Sequence, residues 1–206
     1  MKNKLRNTLI IILASFFFNN ISFSKEFKTR YGFYVDIPKN YLSLNANIED
    51  LIEADKDNEI NINKEFFKDT MSGSPKSDLD IEYFFPQKKY NAEFNNIYVI
   101  VQKINIIEFL DYQPNEICLA TRESLETLYK KQVDIYECEF NPKFVQKKNS
   151  PGVYYMEFDG PFKNQRLHMI ILQMNAGLTS FAAGCITKNC SVFKKDLIKI
   201  ANSRRE

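Results

Sequence analysis

The chain has 206 residues, of which 44% are hydrophobic, 14% aromatic and 26% charged, values that exclude a disordered chain, a collagen-like repeat and a coiled coil. Three of its 28 basic residues, Lys2, Lys4 and Arg6, fall in a segment that reads as removable, so 25 remain against 26 acids, a formal −1. A protein with that balance has no general electrostatic attraction to nucleic acid or anionic lipid.

In chain order, the first element is an export signal. Lys2, Lys4 and Arg6 make a basic start, Leu9 through Phe18 is an apolar run broken only by Ser15, and Ser22 and Ser24 place small residues at −3 and −1 of a cut after Ser24. This is the three-part layout of a secretory signal peptide. A permanent anchor needs about 20 apolar residues, roughly twice this run. No Cys lies near the cut to receive lipid. The reading is a signal peptide over 1–24 and one mature domain over 25–206, large enough for a single core. High Asn, Lys and Ile usage points to a bacterium with an A- and T-rich genome, and so to the periplasm.

The mature chain opens with two short strands, 26–29 and 33–37, joined by a turn at Arg30-Tyr31-Gly32 and ended by Pro38. Residues 45–70 are acidic and weakly periodic, with Ile48, Leu51, Ile52, Phe66 and Phe67 apolar. They read as one or two short helices closed by Ser72-Gly73-Ser74-Pro75. Strands follow at Asp80–Phe85 and Asn96–Ile104. In the second, Ile97, Val99 and Val101 lie on one side and Tyr98, Ile100 and Ile104 on the other. Leu167–Met174 is also apolar on both faces, so helices must cover the sheet above and below. Further strands read at Val133–Phe140, Val153–Phe158 and Thr179–Ile186. One helix spans about Asn115 to Gln132, with Cys118, Leu125, Leu128 and Tyr129 on a stripe. Another spans about Ser191 to Ser203, with Phe193, Leu197, Ile200 and Ala201. Ser191 can cap its start, and Arg204 with Arg205 suit its negative end. The class is α+β, a mainly antiparallel sheet sandwiched between helices.

The opening hairpin ending in Phe33-Tyr34-Val35-Asp36-Ile37-Pro38 resembles the start of PsbP-like proteins. The closing pattern does so too: the strand Ser180-Phe181-Ala182-Ala183-Gly184, a short loop, then a helix built on Phe193, Leu197 and Ile200. The resemblance spans most of the mature chain and implies an antiparallel sheet between helices in an exported or lumenal protein. It also implies a binding or assembly factor without catalysis, and carries over no functional residue set. The acidic 45–75 region and the four cysteines have no counterpart in it.

Residues able to carry chemistry are few. His168 is the only histidine, mid-strand on the face of Ile170 and Leu172, and reads as a buried structural residue. There is no Gly-x-Ser-x-Gly elbow to supply a nucleophile. Ser191-Val192-Phe193-Lys194 matches Ser-x-x-Lys without its supporting elements, so Ser191 reads as a cap. Asp55, Asp57, Glu59, Asn61 and Asn63 alternate as in a calcium loop, but Ile60 stands at the sharp turn and Phe66 at the closing carboxylate. Asp78, Asp80 and Glu82 at period two read as a protective charged edge. The Lys pairs 88–89, 130–131, 147–148 and 194–195 are scattered and read as solvated surface. No catalytic residue, cofactor site or metal site is expected.

The four cysteines should form two disulfides in an oxidising compartment. Cys185 ends a strand and Cys190 precedes a helix, so the short loop between them can fold back. Counting from the turn near Lys131, Cys118 lies about 20 Å back along a helix and Cys138 about 23 Å forward along a strand. A strand returning beside the helix brings those two level. The expected pairs are Cys118–Cys138 and Cys185–Cys190.

The functional expectation is an exported, non-catalytic binding or assembly protein whose partner is another envelope protein or a small ligand held against the sheet. Tyr31, Tyr34, Tyr41, Tyr83 and Tyr90, with Phe84 and Phe85, are candidates for a surface patch. The alternatives are a carboxylate-based hydrolase, which needs a deep pocket holding two buried acids, and a calcium-dependent module.

Overall fold

A computed structural model describes residues 24–45, 81–86, 95–102 and 113–206. The segment read as an export signal, through Phe23, the acidic 46–80 region with its alternating acids and Ser72–Pro75 breaker, Lys88–Lys89, Tyr90, Ile104 and the side chain of Leu128 lie outside the described residues.

The elements are β1 (Ser24–Lys28), β2 (Tyr34–Pro38), β3 (Tyr41–Asn45), β4 (Ile81–Pro86), β5 (Asn96–Gln102), α1 (Pro114–Tyr129), β6 (Ile135–Phe140), β7 (Val153–Asp159), β8 (Gln165–Met174), β9 (Gly177–Ile186), a 3-10 turn (Thr187–Asn189) and α2 (Cys190–Ser203). β1 and β2 form a separate hairpin. Its turn closes through the Gly32 N–H donating to Thr29 O at 3.0 Å, with Gly32 at φ 94°, a value that favours glycine. The other seven strands form one sheet in the order β3-β4-β5-β9-β8-β7-β6, with every neighbouring pair antiparallel.

Period-two alternation sends two apolar sets to opposite faces, and each set has its own helix. On the α2 face, Ile97, Val99, Tyr155, Ile170, Leu172 and Phe181 join Phe193, Leu197 and Ile200 of the helix and Phe33, Val35 and Ile37 of the hairpin in one core. On the α1 face, Tyr154, Met156, Phe158, Leu167 and Ala182 pack with Ile117, Cys118 and Leu125. Layers above and below the sheet are therefore present. The chain end adds to the α2 face. Tyr34 and Arg205 exchange backbone hydrogen bonds of 2.7 and 2.9 Å, the buried Arg204 donates to Ala201 O at 2.6 Å, and Asp36 N–H donates to Ser203 Oγ at 2.7 Å.

Four sequence expectations need correction. Tyr41–Asn45 is strand β3, paired along β4, where no strand was expected beyond Pro38. Its five residues are too few to show a period against the acidic stretch that follows. Glu82 is not part of a charged edge. β4 runs between β3 and β5, and Glu82 points into the α2 face with 2% of its surface exposed. Ser191 does not cap α2. The helix begins at Cys190 with Asn189 before it, and Ser191 is exposed in the first turn. Finally, Tyr41, Phe84 and Phe85 are core residues with at most 1% exposure, not a surface patch. Rings of Tyr83 and Phe85 stack at 5.4 Å, and those of Tyr41 and Phe193 meet edge-on at 6.4 Å.

Candidate functional site

Among the described residues the α1 face does not close completely. Between α1 and strands β5, β9 and β8 lies a cleft of about 810 Å³, within the range that holds small ligands. Ile117 and Ala120 line it from the helix, Tyr98 and Ile100 from β5, and Met169, Ile171 and Leu178 from β8 and β9. Its polar lining is largely committed elsewhere. Thr121 Oγ1 donates to Ile117 O at 2.8 Å and Ser124 Oγ to Ala120 O at 2.9 Å, so both hydroxyl protons are spent on the helix itself. Glu116, the one acid lining the cleft among the described residues, accepts the Gln113 N–H at 2.7 Å and thereby caps α1. Burial raises the Tyr98 hydroxyl well above its ordinary range and pushes the adjoining Tyr129 up to about 12, so neither brings charge. What the walls offer a guest is mainly apolar surface, with Gln102 and Ser180 as polar handles.

Covalent linkage holds this helix to the sheet. Cys118 of α1 and Cys138 of the edge strand β6 lie at disulfide distance, with Cα atoms 6.3 Å apart. Cys185 and Cys190 form the other pair, with Cα atoms 5.1 Å apart, where β9 passes through the 3-10 turn into α2. Both pairs join the expected partners.

On the α2 face a polar cluster lies under the first turns of α2. His168 is 2% exposed, and its Nδ1 meets the Tyr155 hydroxyl at 2.8 Å and Glu157 Oε2 at 3.4 Å. Lys194 reaches down from α2 to Glu137 Oε2 at 2.8 Å and Glu157 Oε2 at 3.9 Å, and its Nζ stands 4.6 Å above the Tyr155 ring. Burial, aided by the Lys194 and Arg166 charges, pushes His168 down to about 4, so it is neutral near pH 7. The Glu157 contact is then not an ion pair. His168 is thus a buried histidine, as its strand position implies, but one embedded in a network that neighbouring sequence does not reveal. The Lys194 of the Ser-x-x-Lys match is committed to these carboxylates, and Ser191 belongs to no such network among the described residues.

Among the described acids, Glu82 alone is fully buried. Burial pushes its carboxyl up to about 7, although the Arg30 N–H donates to Oε2 at 3.3 Å and favours the anion. It lies beneath the hairpin, on the opposite side of the sheet from the cleft. Among the described residues, no second carboxylate lines the cleft with Glu116.

No family model matches the chain, and no curated protein sequence matches it. The structure is nevertheless similar to the solution structure of cyanobacterial PsbP (CyanoP) from Synechocystis sp. PCC 6803. The TM-score is 0.58 at 11% sequence identity, covering 90% of this chain and 94% of that one. The fold is PsbP-like, a large antiparallel sheet with a helix on each face. At that identity the likeness extends to the fold alone.

Proposed function

We propose that this is an exported, non-catalytic accessory protein that holds a small, mainly apolar ligand in the cleft between α1 and the sheet. The cleft carries the reading: its walls are largely apolar, its Thr121 and Ser124 hydroxyls are spent on the helix, and the one acid that lines it among the described residues caps that helix. An acyl or prenyl chain fits such a lining, with Gln102 and Ser180 beside a polar head. Export is supported by the amino-terminal pattern and by cysteine pairs at disulfide distance. Among the described residues no helix is long and apolar enough to cross a membrane. The PsbP-like fold accords with an accessory role. A carboxylate hydrolase would need a second acid with Glu116, and a calcium-dependent module would depend on residues 55–63.

The test is solvent extraction and mass spectrometry of protein purified from its own envelope fraction, followed by titration with a fluorescent fatty acid. The expected outcome is a co-purified apolar molecule and saturable probe binding that Ala120→Trp abolishes. Probe binding that Ala120→Trp leaves unchanged, in a variant melting like the wild type, rejects the cleft as the site.

A further inference from the structure

The Cys185–Cys190 bridge does not stand alone. One ring nitrogen of His168 and the two sulfurs all lie within 4.8 Å of one another, and all three residues are buried. The Nε2 atom of His168 is itself buried and has no hydrogen-bond partner among the described residues. Its other nitrogen faces the Tyr155 hydroxyl and the Glu157 carboxylate. A carboxylate beside Nδ1 favours the proton there and leaves the lone pair on Nε2. This is the arrangement by which an outer carboxylate orients a metal-binding histidine. Cys190 is the first residue of α2, where the helix dipole favours a thiolate. Lys194 and Arg166 act electrostatically on His168 and would offset the charge of two thiolates.

We propose that His168, Cys185 and Cys190 form a site for a thiophilic cation, Cu⁺, that the disulfide closes and a dithiol reductant opens. Reduction breaks the sulfur–sulfur bond. The dithiol gives up two electrons and two protons, becomes a disulfide, and leaves Cys185 and Cys190 as thiols. Binding of Cu⁺ then forms two copper–sulfur bonds and one copper–nitrogen bond and releases the two thiol protons. Two sulfurs and one imidazole suit a soft ion that accepts few ligands. This inference is independent of the cleft, which lies on the other face of the sheet.

The experiment compares purified wild type, the Cys185→Ser/Cys190→Ser variant and His168→Asn, each oxidised and each reduced with a phosphine. The phosphine is removed by anaerobic desalting, and Cu⁺ is supplied from its coloured bicinchoninate complex. Reduced wild type should bind about one Cu⁺ per chain more than the reduced double-serine variant, and oxidised wild type should lack that increment. His168→Asn should weaken the reduced site by at least about tenfold, the lower end of what losing even an outer partner costs. X-ray absorption at the copper edge of the reduced Cys118→Ser/Cys138→Ser protein, which keeps only the proposed thiol pair, should show two sulfur neighbours and one nitrogen. Equal binding by reduced wild type and the double-serine variant overturns the proposal. So does an all-sulfur copper environment, or affinity unchanged in a folded His168→Asn protein. Should that variant fail to fold, the copper-edge measurement decides alone.

Discussion

The two faces of the sheet are built from the same kind of strand but closed in different ways. On the α2 face, a helix, a hairpin and the chain terminus converge, and Phe193, Leu197 and Ile200 are wholly buried. On the α1 face, one helix among the described residues lies along the sheet, held by Ile117, Leu125 and the Cys118–Cys138 link, and leaves a cleft beside it. One face is sealed by packing and the other is tethered. Tethering lets a helix stay in place without filling the space beneath it, which is what a binding cleft requires.

The largest effect should come from the sealed face. Leu197→Ala should cost about 2–5 kcal/mol, whereas Leu125→Ala on the tethered helix should fall at or below the lower end of that range. Thermal melts of the two variants, read side by side, check this, and equal losses would remove the distinction between the faces. Next, Cys118→Ser with Cys138→Ser should lower stability by about 3 kcal/mol on the chain-entropy view of a closed loop of this length. If that pair melts like the wild type, α1 is held by packing and the tether is dispensable.

Glu82 gives the sealed face a pH signature. Its folded-state pKa of about 7 lies above the ordinary 4.5, so between those values the folded protein holds more proton than the unfolded chain. That contribution is fully present below about pH 4.5 and is lost as pH rises toward 7, by about 1–3 kcal/mol after allowance for solvent screening. Denaturant midpoints of wild type and Glu82→Gln across that window should diverge as pH rises. Parallel curves would show that the carboxyl ionises without penalty. The smallest effect concerns helix starts. Glu116→Ala should cost about 0.5–1 kcal/mol because its carboxylate caps α1, while Ser191→Ala should stay within about 0.5 kcal/mol. A loss of about 1 kcal/mol from Ser191→Ala would restore it as a cap.

Much of this architecture was legible along the chain because it rests on local repeats. Alternation read over Asn96–Ile104 and Leu167–Met174 announced strands apolar on both faces, found at Asn96–Gln102 and Gln165–Met174, and helical spacing in Phe193, Leu197 and Ile200 announced the docking stripe of α2. The Cys118–Cys138 pairing followed from element lengths, and Cys185–Cys190 from the short loop between strand end and helix start. β3 was missed because a five-residue strand carries too little alternation. Glu82 was misplaced because a charge at period two reads the same on an edge as beneath a hairpin. The cleft left one visible trace, the double-sided apolarity of β8, but nothing local marks space between a helix and a sheet.

By itself the sequence determined the α+β class, the two-sided burial and the two cysteine pairs, since periodicity and reach are properties of neighbouring residues. Only the tertiary structure decided which residues meet across strands. Tyr155, Glu157, His168 and Lys194 come from three elements, and they converge because the order β9-β8-β7 lays those strands side by side beneath α2. Such encounters depend on strand order and on where each helix comes to rest, and a linear pattern encodes neither.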